Sequence, residues 1–260
     1  DAFTALDGYG DSAEMLKQCD YGQAGALAAT GTAETLRQAA GLYQNLGDYE
    51  DSAAKYQQTL YSLGETLLVA EDFDGAAYAF QTLGDYEDSA TQLKETEYRQ
   101  AIRLMEKESY VAARIFLSDL GDYRDAAEQV LVCDYNIGKA ALEAGDYETA
   151  AAKLAAAGNT QDAAELLKSA NYQLAGIRFD EGKYEEAGKL YQQAGDYEDA
   201  VLRGNSCLYE IAKEHMVAGE YAKAAELFTS IQPYLDSETL AWECIYQEAQ
   251  AASDAENWEQ

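Results

Sequence analysis

Four cysteines, one histidine and 48 aspartates and glutamates are where chemistry would have to begin in this 260-residue chain. Cys133, Cys207 and Cys244 lie two periods and then one period apart on a common 37-residue step, and Cys19 takes the same place in an earlier, longer period. Thr59, Thr96 and Ala170 occupy that place elsewhere. A slot shared by Cys, Thr and Ala is a small, partly apolar helical position, where free Cys behaves as a buried hydrophobe. Equivalent sites in stacked units would lie about 10 Å apart, beyond disulfide reach. No metal or cofactor is expected there, and free thiols leave the redox compartment unread.

A nucleophilic triad would have to use His215, the only histidine. Its periodic equivalents are Leu67, Leu104, Ala141 and Arg178, so helix packing or half-exposure is the expectation. Paired carboxylates for acid–base work need a defined separation. The conspicuous pairs, Asp48/Asp51 and Asp85/Asp88, recur with the period, whereas a catalytic pair should be a singular departure from it. They are assigned to helix capping, and the same argument discounts a dedicated calcium site.

Tyrosine is the remaining candidate. Tyr61, Tyr98, Tyr135, Tyr172, Tyr209 and Tyr246 fall on one 37-residue step. Each of the first five is followed three residues later by Gly or Ala, and four further on by a bulky apolar residue such as Leu68 or Met216. Exposed, this seam would be an aromatic ladder suited to peptide or sugar contact. Buried, it would pack between helices and hydrogen-bond through its hydroxyls. Binding positions usually vary between repeats and packing positions do not, which favours the second reading.

The elements that position these residues are set by the repeat. Gly47-Asp48-Tyr49-Glu50-Asp51-Ser52-Ala53 returns at 84–90, 121–127 and 195–200, with a weaker copy at 158–164. Its second Asp falls at 51, 88, 125, 162, 199 and 236, and Asp11 opens the series with a first step that is three longer than the rest. The three extra residues are placed around Ala28 to Thr32, where Gly31 breaks the pattern. Phe73, Tyr110, Tyr147, Tyr184 and Tyr221, each followed three residues on by Ala, keep the same step.

Each unit reads as two helices. The glycine suits the position past a helix end, the next Asp an N-cap, and the Asp three residues on a capping box. A first helix is predicted from Tyr49 to Val69, then a break at Glu71-Asp72, then a second helix from Phe73 to Thr82. Apolar spacing agrees: Tyr56, Leu60, Leu63 and Leu67 share one face, and Phe73, Ala76, Ala77 and Phe80 another. Neither helix can bury its face alone, so neighbouring pairs must stack. The predicted fold is an all-α, right-handed α–α superhelix of about six and a half helix pairs, roughly 60–70 Å long. It forms a single solenoid over residues 1–250, with a polar tail at 251–260.

Leu63-Gly64, Leu67, Ala76 and Phe80 match the spacing of the L-G, Y, A and F positions of the tetratricopeptide pattern, and Ile137-Gly138, Tyr147, Ala150 and Leu154 match it again. The chain thus resembles a divergent tetratricopeptide repeat. Its step is longer than that of the family, and Leu60, Glu97, Asp134, Asn171, Leu208 and Ile245 stand in the family's Trp column. The resemblance implies that first helices line a concave groove that grips peptides. On that basis the tyrosine row, with Glu65, Ile102, Lys139 and Lys213, is the expected partner-binding surface. The repeated L-G-D-Y-x-D-[SA] also resembles repeats of surface or envelope proteins of Gram-positive bacteria, implying such a location within a larger bacterial protein.

The formal charge of -30 disfavours nucleic acid, which needs clustered cations, and points to a basic protein or peptide partner. No apolar run is long enough for direct membrane insertion. Residues 2–9 align with the second helix of a preceding unit, and residues 234–250 supply a first helix without a partner, so the chain reads as a piece of a longer protein. Open solenoid ends expose apolar faces, which gives end-to-end self-association a physical basis. The expected function is a protein–protein interaction scaffold. A passive structural spacer and a carbohydrate-binding module are the alternatives, and an enzyme is the least expected class.

Overall fold

The computed structural model describes residues 9–255, and among them every regular element is an α-helix. There are thirteen: α1 (Ser12–Thr30), α2 (Ala33–Leu46), α3 (Ser52–Val69), α4 (Phe73–Leu83), α5 (Ser89–Glu106), α6 (Tyr110–Leu120), α7 (Ala126–Glu143), α8 (Tyr147–Ala157), α9 (Ala163–Asp180), α10 (Tyr184–Ala194), α11 (Ala200–Val217), α12 (Tyr221–Ser230) and α13 (Ser237–Ala255). From α3 onward both helix starts keep the 37-residue step. The chain divides inside α7 into two compact units, residues 1–130 and 131–260. In the first, each helix from α1 to α6 packs on its chain neighbours, and in the second the same holds from α8 to α13. The fold is an all-α helical repeat.

Packing is built on small residues in fixed places. Ala76, Ala113, Ala150, Ala187 and Ala224, one per second helix, are all fully buried. They let the helices approach closely enough for larger side chains to interlock. In the first unit Leu60, Leu63, Leu67, Ala76 and Phe80 form one cluster. In the second, Ala150, Leu154 and Ala170 form another, and Ala212, Phe228 and Cys244 a third. Cys133, Cys207 and Cys244 are buried, Cys19 is exposed and all four are free.

The turn differs from the expectation drawn from sequence. The first helix starts at Ser52 and its periodic equivalents, not at Tyr49. Gly47 and Gly84 do end the preceding helices, with φ of 55° and 57° and ψ near -117° and -115°. A Cβ would clash in that backbone conformation, so glycine is needed there. Asp48 is not an N-cap. Asp51 and Asp88 hold the N-cap position but make no side-chain capping bond. Their backbone, at φ -99° and -102° with ψ 24° and 22°, lies outside the extended region from which a cap side chain reaches the N2 or N3 amide. The residue before each, Glu50 and Glu87, is itself left-handed at φ 48° and 49°. True side-chain caps occur instead at the second helices, where Asp72 accepts from the Gly75 amide and Asp146 from Thr149, both at 3.1 Å.

The extra residues of the first period are absorbed after the break expected at Gly31. That residue is left-handed at φ 74°, Thr32 caps the next helix, and α2 runs for 14 residues where α4 has 11. At the other end α13 continues to Ala255, so residues 251–255 of the expected tail are helical. The assignments for residues 2–8 and for the tail from 256 to 260 lie outside the described residues.

Candidate functional site

The tyrosine row lies on the first helices, and its hydroxyls have a constant partner. Tyr61 donates to Asp88 at 2.5 Å, Tyr98 to Asp125 at 2.5 Å, Tyr135 to Asp162 at 2.6 Å, Tyr172 to Asp199 at 2.5 Å and Tyr209 to Asp236 at 2.6 Å. Each bond spans 27 residues, from one first helix to the N-cap residue of the next. Tyr21 makes the same bond to Asp51. It is a seventh member of the row that the 37-residue step does not reach, because the first period is longer.

The acceptor carboxylate is engaged at both oxygens where a long polar side chain follows four residues on. Gln92 reaches Asp88 at 3.0 Å, Gln129 reaches Asp125 at 2.8 Å and Arg203 reaches Asp199 at 3.2 Å. Bonding to the charged form holds the Asp88, Asp125 and Asp199 carboxyls below the ordinary aspartate range, with the tyrosine hydroxyl the largest cause. The same bonds keep the phenols protonated. Tyr21, Tyr61 and Tyr209 are each pushed up to about 12, first by the carboxylate that accepts their proton and then by burial.

The rings are wedged between two further side chains. Tyr61 meets Phe80 edge-on at 5.8 Å and Tyr86 at 6.2 Å, and Tyr209 meets Phe228 at 5.6 Å and Tyr234 at 5.9 Å. Edge-to-face contacts of this kind add to the area buried. Tyr86 and Tyr234 are the turn tyrosines, so the turn, the second helix and the next first helix all meet at one phenol. Tyr135 is only 4% exposed, and Tyr61, Tyr98, Tyr172 and Tyr209 are half-buried. Tyr246, on α13, is 61% exposed.

Of the other predicted contact residues, Glu65, Lys139 and Lys213 are exposed and Ile102 is half-buried. Lys213 bonds Glu210 at 2.9 Å and lies over the Tyr209 ring at 5.5 Å. Ile102 lines a groove of about 270 Å³ with Leu68, Phe73 and Tyr98. Each of these four occupies one repeated position, four residues after a ladder tyrosine, where α9 carries Gly176.

His215 is half-exposed, with Nδ1 2.7 Å from the Glu220 carboxylate, which also accepts from Lys223 at 2.9 Å. Among the described residues no group of three or more His, Cys, Asp or Glu side chains is placed to hold a metal ion, and no helix is long and apolar enough to cross a membrane. One departure from the repeat carries charge inward. Glu95 is buried and accepts from Arg99 at 2.7 Å, Arg124 at 2.8 Å and Tyr123 at 3.0 Å. Arg124 stands where Glu50, Glu87 and Glu198 occupy the turn, so the reversed charge in that turn comes with an acid facing it.

Compared with known families and with curated proteins, the chain matches no family model and no curated relative.

Proposed function

We propose that the chain is a protein-recognition scaffold of tetratricopeptide-like helix pairs, presenting the exposed side of its first helices to a basic protein or peptide. The observation that carries this reading is the contrast between two adjacent positions. The ladder position is tyrosine throughout and from Tyr61 to Tyr209 is occupied by inter-repeat bonding, whereas the position four residues later changes from Glu65 to Ile102, Lys139, Gly176 and Lys213. A constant frame with a varied outer position is how a repeat protein encodes a specific partner on a generic fold. The charge of -30 favours a cationic partner, with binding that weakens as salt rises.

The test is capture of a basic partner by the wild-type chain and by a Glu65→Lys variant in low and high salt. A partner held by the wild type and released by the variant supports the reading. Equal capture by both, or none, sinks it. A spacer is the second reading, and the ladder favours it, because five of the six named tyrosines have their hydroxyls committed to the next repeat.

A further inference from the structure

One repeated position of the first helices is apolar, and in α3 it lines the groove formed with α2. Leu16, Tyr56, Leu93, Val130 and Leu167 hold this position in turn, then Gly204 in α11 and Ala241 in α13. Tyr56 and Leu93 pack on the core of the first unit, and Leu167 on that of the second. At Gly204 an added Cβ would find nothing nearer than the Tyr191 Cβ, 4.0 Å away. On the facing helix Gly188 stands where the other second helices have Ala40, Ala77, Arg114, Ala151 and Ala225.

A cavity of about 580 Å³ lies between α10 and α11 with both glycines in its lining; it is open beside Gly204, whereas a Cβ at Gly188 would meet the Cys207 Cβ at 3.5 Å. The equivalent groove between α2 and α3, where Tyr56 is present, measures about 340 Å³. Tyr191 is larger than Leu117 and Leu154 at the same position, but it does not require the glycine opposite. Phe80 coexists with Leu93, and Tyr43 with Tyr56, at the corresponding contacts. The departure extends to the lip. Val201 is 70% exposed and replaces the alanine of five other repeats, Ala13, Ala53, Ala90, Ala127 and Ala164.

We propose that this groove binds a small apolar molecule built on a ring system, with one hydrogen-bonding end at the rim. Its volume lies within the range of about 300–1,000 Å³ typical of small-molecule sites. Tyr184, Tyr191, Leu208 and Ile211 make much of the lining aromatic or aliphatic. The absence of a side chain at Gly204 leaves room there for a ring. Gln192, Asn205 and Lys189 stand at the rim, and Lys189 has no ion pair among the described residues. The cavity belongs to one helix junction, which suits a compact ligand rather than a peptide laid across several repeats. Its lining contains no ladder tyrosine and none of the varied positions that follow them, so either reading can fail alone.

The test is a fluorescence titration with N-phenyl-1-naphthylamine, a neutral probe that joins a naphthalene and a phenyl ring and brightens in apolar surroundings. The wild-type chain is expected to bind one equivalent saturably. Gly204→Leu, which restores the side chain most common in the earlier repeats, should weaken binding at least tenfold with the helical circular dichroism unchanged. Should that variant misfold, Val201→Glu alters only the exposed lip and should also weaken binding. Non-saturable binding, or equal affinity in all three proteins, overturns the proposal. Sedimentation showing a wild-type dimer that Gly204→Leu dissociates would assign the groove to a second copy and overturn it equally.

Discussion

Tyr135 and Asp162 lie 27 residues apart in sequence and 2.6 Å apart at hydroxyl and carboxylate, joining the first helices of consecutive repeats. The ring is buried, so removing only the hydroxyl tests the bond without opening a cavity. Tyr135→Phe should destabilise the chain by about 1.5–3 kcal/mol, the usual net worth of a hydrogen bond to a charged group. Tyr246→Phe should leave stability unchanged, because that ring is largely exposed and makes no hydrogen bond among the described residues. Chemical denaturation of both variants checks the pair, and equal losses would separate the ladder from stability.

The ladder predicts a stability profile bounded at both ends of the pH scale. Tyr21, Tyr61 and Tyr209 hold their protons to about 12 in the folded chain, against 10.0 for a free phenol. Because the folded value is the higher, this contribution is complete below pH 10 and is lost as the pH rises toward 12. For Asp88, Asp125 and Asp199 the folded value is the lower, so their contribution is complete above the ordinary aspartate value of 3.8 and is lost as the pH falls through the folded one. Melting temperatures of the wild type and a Tyr61→Phe/Tyr209→Phe variant should converge at the alkaline end. A constant difference across that alkaline range would contradict the assignment.

Four serines sit at a disadvantage the repeat itself exposes. The hydroxyls of Ser12, Ser52, Ser89 and Ser237 are buried without a hydrogen-bond partner among the described residues, while Ala126, Ala163 and Ala200 fill the same position elsewhere. Removing an unsatisfied buried hydroxyl and gaining a better helix former act in the same direction. Ser89→Ala should stabilise the chain by about 1 kcal/mol, read as a shift in denaturation midpoint. A loss of stability would mean that the hydroxyl is bonded after all.

Glu108 is left-handed at φ 58°, where Gly145, Gly182 and Gly219 serve later repeats at φ 79°, 75° and 76°. A residue with a Cβ in this conformation costs about 1 kcal/mol. Glu108→Gly should recover about that much, and the melting temperature should rise. Glu71, at φ 60°, is a less clean site, because it also pairs with Arg103 at 3.4 Å.

The thiols should divide one against three. Cys19 is exposed while Cys133, Cys207 and Cys244 are buried, and burial pushes the Cys207 thiol up to about 11. Thiolate reactivity falls with both burial and a raised pKa. A chromogenic aromatic disulfide should therefore titrate one thiol quickly under native conditions and four in denaturant.

The helix pairs were legible in sequence because they rest on periodicity, and a period survives projection onto one dimension. Phe73, Ala76 and Phe80 marked the second helix to within a residue. The turn was misread for a physical reason. An Asp at a helix start looks like a cap when only local bonds are considered, yet Asp88 turns its carboxylate to the phenol of Tyr61, on the preceding first helix. Both partners were conspicuous in the sequence, but nothing local joins them. Tyr21 was missed because the longer first period shifts it off the 37-residue step. Gly204 was missed because attention to what recurs passes over the one repeat where the side chain is absent altogether, though aligning Leu16, Tyr56, Leu93, Val130 and Leu167 would have revealed it.

The ladder bond also bears on how such a chain can grow or shrink. Donor and acceptor belong to different repeats but keep one constant separation between equal-length units, so duplicating or deleting a whole unit leaves every donor an acceptor at the seam. A slip that moves the turn out of reach of the preceding first helix strands a phenol and a carboxylate together. The joint therefore acts as a length check on recombination, permitting change in whole units and penalising fractions. The first period passes that check despite its greater length, because its extra residues are taken up ahead of the acceptor, in the lengthened α2, and Tyr21 still reaches Asp51.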